Sequence, residues 1–85
     1  MNASPKSRPR HQGLLTPRET DVVRMLACGL TSAEIADGLF VSRRTVDFHL
    51  VNVYSKLEVK NRVGAVLMAE RRGLIPTGAF SSLLP

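Results

Sequence analysis

The run Thr31-Ser32-Ala33-Glu34-Ile35-Ala36-Asp37-Gly38-Leu39-Phe40-Val41-Ser42-Arg43-Arg44-Thr45-Val46-Asp47-Phe48-His49-Leu50 holds two helix starts with almost nothing between them. Thr31 stands three residues before Glu34. At that spacing a hydroxyl accepts from the third amide of a helix, and a carboxylate reaches back to the amide of the cap. Ile35, Ala36 and Leu39 then give a segment of about two turns one apolar face. Ser42 offers a second cap, and from there to Leu57 neither glycine nor proline interrupts the chain. A short helix, a turn from Phe40 to about Arg43 and a longer helix form the pattern of a helix-turn-helix.

The same punctuation continues on both sides. Thr16-Pro17-Arg18-Glu19 combines a hydroxyl cap, a proline at the first helical position and a glutamate three residues after the cap, so a helix should begin at Pro17. Val22, Val23 and Leu26 form its apolar face and Gly29 supplies a left-handed stop. Asn61 caps a last helix from Arg62 to Arg72, with Gly73 as terminator and Pro76 forbidding extension. At about 100° per residue, Val46, Leu50, Val53 and Leu57 fall on one stripe of the third helix, while Arg44, Asp47, Phe48, Val51 and Ser55 fall on the opposite half. No stretch alternates as a strand does. The expectation is an all-α fold of four helices over residues 14–75. Residues 1–13 form a disordered basic tail with Lys6, Arg8, Arg10 and His11, and residues 76–85 form a flexible C-terminal tail.

Composition narrows the function. With 85 residues the chain accommodates one small domain and no deep, self-sufficient enzyme pocket. Twelve basic against seven acidic residues give a formal charge of +5, which favours a polyanionic partner, a nucleic acid or an acidic membrane surface. No apolar run approaches the roughly 20 residues of a membrane span, and no signal peptide opens the chain, so a cytoplasmic protein is expected. Cys28 is the single cysteine and cannot form an internal disulfide or a multi-cysteine zinc site. Between Ala27 and Gly29 it is expected to be a small buried hydrophobe. His49 has no second histidine or acid at ligand spacing and is expected to be structural and hydrogen-bonded, so no metal, cofactor or catalytic cluster is foreseen.

In a helix-turn-helix the first helix crosses the DNA backbone and the second enters the major groove. Arg43 and Arg44 open the third helix, where two cations oppose the helix dipole and a phosphate or base would relieve them. Leu15-Thr16-Pro17-Arg18-Glu19, Gly29-Leu30-Thr31, Glu34-Ile35-Ala36, Leu39-Phe40-Val41-Ser42, Arg44-Thr45-Val46, His49-Leu50 and Lys56-Leu57 together resemble the LuxR-type helix-turn-helix domain of bacterial transcription regulators. The resemblance covers about Leu14 to Ile75. It implies a four-helix fold that binds double-stranded promoter DNA as a homodimer, with the last helix in the dimer contact.

The resemblance assigns base contacts to Arg44, Asp47, Phe48 and Val51, and DNA backbone contacts to Thr31, Ser32, Thr45 and Lys56; Arg43 joins the second group through its position at the helix start. Val63, Leu67 and Met68 are the expected dimer contacts, because the last helix carries more apolar surface than one core contact buries. Two residues depart from the family pattern. Asp47 stands where lysine is common, and either pairs with Arg43 or Arg44 or accepts from a base. Glu58 stands where glycine commonly follows the Lys-Leu pair. Lys6, Arg8 and Arg10 are either an idle linker or a minor-groove arm. The rival use of this fold is a protein-interaction module that turns Asp47, Phe48 and Val51 towards RNA polymerase or a sensory domain.

Overall fold

The computed structural model describes residues 14–76. They form four helices: α1 Pro17–Ala27, α2 Ser32–Leu39, α3 Arg43–Leu57 and α4 Arg62–Arg71. No strand occurs among the described residues. The basic tail foreseen at 1–13, and all of the C-terminal tail except Pro76, lie outside them.

Each helix starts where its cap residue stands. The side chains of Thr16, Thr31, Ser42 and Asn61 accept from the backbone amides of Glu19, Glu34, Thr45 and Gly64, at 3.1, 3.1, 3.1 and 2.8 Å. In α1 and α2 the reciprocal bond is also made, from the Thr16 and Thr31 amides to Glu19 and Glu34. The stops are equally uniform. The amides of Leu30, Val41, Val59 and Leu74 each donate to the carbonyl five residues back, at Met25, Ala36, Tyr54 and Ala69. The residue just before each of them is left-handed: Gly29 at φ 87°, Phe40 at 58°, Glu58 at 58° and Gly73 at 73°. This is the Schellman closure, and the four residues after the turn, all apolar, pack against the core as that motif requires.

The core is built from the stripes that the spacing marks. Val22, Val23 and Leu26 of α1, Ile35 of α2, Val46, Leu50, Val53 and Leu57 of α3, and Ala65, Val66 and Ala69 of α4 are all buried. Both α1 and α3 pack against every other helix, so these two form the centre of the domain. Cys28 corrects its expectation. It caps α1 and is exposed, because 100° per residue turns it away from the face of Val22, Val23 and Leu26.

One contact that sequence spacing does not announce ties the two central helices together. Glu19 is 3% exposed, and its Oε1 accepts both the Thr16 amide at 2.9 Å and the Lys56 ammonium at 2.7 Å. The capping carboxylate of α1 is thereby also the ion-pair partner of the last turn of α3.

Two of the four left-handed stops are not glycine. A side chain there meets its own following carbonyl, at about 1 kcal/mol or more. Phe40 gains no burial in exchange, being 94% exposed. Glu58 is exposed as well. Glu58→Gly should therefore raise the stability by about 1 kcal/mol and the melting temperature by about 4 to 8 °C for a domain of this size, measured by thermal denaturation. A fall in melting temperature would contradict the stop geometry at Glu58.

Candidate nucleic-acid interface

With Val46, Leu50, Val53 and Leu57 spent on the core, the opposite side of α3 is left to solvent. Asp47 and Ser55 are exposed, and Phe48 and Val51 keep 63% and 65% of their surface in water. Large apolar groups so placed add nothing to the core and form an apolar centre on an otherwise polar helix face. Arg43 and Arg44 occupy the first turn, both exposed, with no acidic residue in that turn to offset them. Asp47 forms neither of its foreseen pairs: among the described residues no ion pair or hydrogen bond engages its carboxylate. Among the described residues, the outward face thus presents two cations without an ion pair at the helix start, then a free carboxylate beside two apolar side chains.

Hydroxyls stand at the starts of both helices of the motif. Thr31 is exposed, and its hydroxyl accepts from the Glu34 amide. The hydroxyls of Ser42 and Thr45 stand 3.0 Å apart. Both α2 and α3 begin at these residues, where free amides and the positive end of the dipole suit phosphate oxygens.

Two of the expected backbone contacts, Lys56 and Ser32, are engaged or buried within the domain. Lys56 has its ammonium committed to Glu19, with only 16% of its side chain exposed, so it is an internal tie. Ser32, the first residue of α2, is buried at 9% exposure. His49 is half-buried and sets its ring against Phe48 with centroids 5.9 Å apart and planes at 59°. Its expected hydrogen bond is not formed among the described residues.

A second exposed apolar patch lies on α4. Val63 and Leu67 are 46% and 48% exposed, and Met68 is half-buried against the core. Leu67 and Met68 line a shallow hollow of about 240 Å³ with Val59, Gly64 and Arg71. Arg62 at the start of α4 donates to the Leu30 carbonyl at 3.3 Å, which links α4 to the turn after α1. No helix of the described residues is long and apolar enough to cross a membrane.

Residues 13–69 match the family described as bacterial regulatory proteins, luxR family. The chain belongs to the LuxR family. A protein of Mycobacterium tuberculosis carrying the name of an HTH-type transcriptional regulator is 52% identical over 69 residues, which are 80% of this chain and 8% of that protein. The transcriptional regulatory protein ComA of Bacillus subtilis is 38% identical over 69 residues, 81% of this chain and 32% of ComA. Among solved structures, the transcription factor GerE superposes with a TM-score of 0.70 at 32% identity, covering 74% of this chain and 94% of GerE. The response regulator ChrA of a heme-sensing two-component system superposes at 0.72 and 42% identity, covering 73% and 31%. This LuxR-type domain thus spans about a third or less of ComA, ChrA and the mycobacterial protein.

Lys56 in this LuxR-type domain gives a test that separates an internal tie from a phosphate contact. Lys56→Met leaves Glu19 buried without its cation, which typically costs about 3 kcal/mol or more, so the melting temperature should fall sharply. The slope of DNA affinity against salt, measured below that temperature, should stay unchanged, because no phosphate contact is lost. A shallower slope with full stability would instead make Lys56 a phosphate contact.

Proposed function

We propose that this chain is the sequence-specific DNA-binding part of a transcription regulator, acting in the cytoplasm on double-stranded promoter DNA. The reading is carried by the outward face of α3: Phe48 and Val51 stand exposed on the second helix of a helix-turn-helix, directly behind Arg43 and Arg44. That helix is the one that enters the major groove in this motif. Arg44, Asp47, Phe48 and Val51 face base edges, while Arg43, Thr45 and Thr31 hold phosphates at the rim. Phosphate contacts set the register and base contacts the sequence.

A second copy joins through α4, over Val63 and Leu67. Their exposure beside the hollow lined by Leu67 and Met68 supports a self-complementary contact. Two copies would set two α3 helices about one DNA turn apart and make the operator a near-palindrome. The rival occupant of the α3 face, RNA polymerase or a sensory domain, predicts a different salt response. Binding that neutralises several phosphates weakens steeply between low and high salt, whereas an apolar protein contact does not.

Selection of bound sequences from random DNA tests binding, specificity and half-site symmetry together. Enrichment of a two-half-site sequence is expected; failure to enrich any sequence would overturn the reading. Against the selected operator, Arg44→Ala should weaken binding by about 1 to 3 kcal/mol and relax preference at one base pair, since arginine at this position pairs with guanine N7 and O6. Leu67→Glu should keep the helix content by circular dichroism while removing the advantage of two half-sites over one. Equal affinity of the unmutated protein for one and two half-sites would count against the dimer.

A further inference from the structure

Three neighbouring side chains on α3 have chemistry that narrows what the groove must offer. Val51 follows Asp47 by four residues and Phe48 by three, so on the helix surface it lies beside both. All three are exposed, and the carboxylate of Asp47 has no partner among the described residues. A carboxylate repels phosphate and every acceptor on a base edge, so in a major groove it is satisfied only by an exocyclic amine: N4 of cytosine or N6 of adenine. Adenine sets the acceptor N7 next to N6, which faces a carboxylate unfavourably. Cytosine instead sets the apolar C5 edge next to N4, and apolar groups stand beside Asp47 on this helix.

We infer that Asp47, Val51 and Phe48 read one cytosine as a unit, and that they bind it more tightly when its C5 carries a methyl group. Asp47 accepts the N4 hydrogen, and Val51 with Phe48 covers the C5 position, where 5-methylcytosine places its methyl. Thymine has the same methyl but an acceptor at O4 in place of the amine, and Asp47 rejects it. The order of affinity at this position is 5-methylcytosine, then cytosine, then thymine. The ligand is thus a methylated cytosine in duplex DNA. The inference rests on the DNA-binding reading above and fails separately from it.

The experiment uses synthetic duplexes of the selected operator in which each cytosine in turn is replaced by 5-methylcytosine or by thymine. Affinity is measured by fluorescence anisotropy with the 85-residue chain. Methylation at one cytosine in each half-site should raise affinity about fourfold, the worth of burying one methyl group, and thymine there should lower it. In Asp47→Ala, thymine and 5-methylcytosine should become equal at that position. In Val51→Ala the ratio of affinities for methylated and unmethylated operator should fall to about one, whatever the loss in binding of the unmethylated operator itself. Neither side chain touches the core, and an unchanged circular dichroism spectrum checks that each variant is folded. If methylation raises affinity at no cytosine, or if the unmutated protein binds thymine as tightly as 5-methylcytosine, the inference is overturned while DNA binding stands. If no operator can be selected, both fall.

Discussion

The buried contact between Glu19 and Lys56 is the constraint on which the arrangement rests. Thirty-seven residues of chain separate the partners, and they are the carboxylate that closes the cap of α1 and the ammonium from the last turn of α3. Both charges have left water, which is worthwhile only with close geometry and further hydrogen bonds; Glu19 has both, at 2.7 Å to Lys56 and 2.9 Å to the Thr16 amide. A domain this small holds total stability of the order of 5 to 10 kcal/mol, so leaving either charge unpaired would consume a large share of it. The ion pair adds a directional contact between the start of α1 and the last turn of α3 to the apolar packing of the two helices. The stripe of Val46, Leu50, Val53 and Leu57 sets which residues of α3 look outward.

Most of the fold was legible because its punctuation is local. Caps at Thr16, Thr31, Ser42 and Asn61 and stops at Gly29 and Gly73 involve residues within a few positions of one another, and such chemistry is written into the chain directly. What was not legible involves distance or departure from the usual residue. The partnership of Glu19 and Lys56 has no local signature, and Glu19 already had a sufficient explanation as a cap. Phe40 occupies a left-handed stop that residue preferences reserve for glycine or asparagine, so nothing in its type announces it. Cys28 was misplaced because apolar neighbours in sequence outweighed helical phase, which turns the residue outward.

The outward face of α3 was legible for a different reason. Once four residues at helical spacing account for the core contact, further large apolar residues on the other side of the same helix are in surplus, and Phe48 and Val51 are that surplus. Thr31 is less transparent, since a capping hydroxyl serves the helix whether or not a phosphate ever approaches. Nothing local in the sequence announces that Ser32 is buried or that Lys56 is paired with Glu19.

The helix stops are made by backbone amides and carbonyls, and the core by the inward stripes, so the outward positions of α3 have almost no share in holding the domain together. Exposed positions of this kind tolerate exchange within about 0.5 kcal/mol. Asp47, Val51 and Ser55 can therefore be exchanged one at a time while the frame of the domain is kept. One helix thus carries the residues that hold the frame and, on its other side, residues on which the frame does not depend.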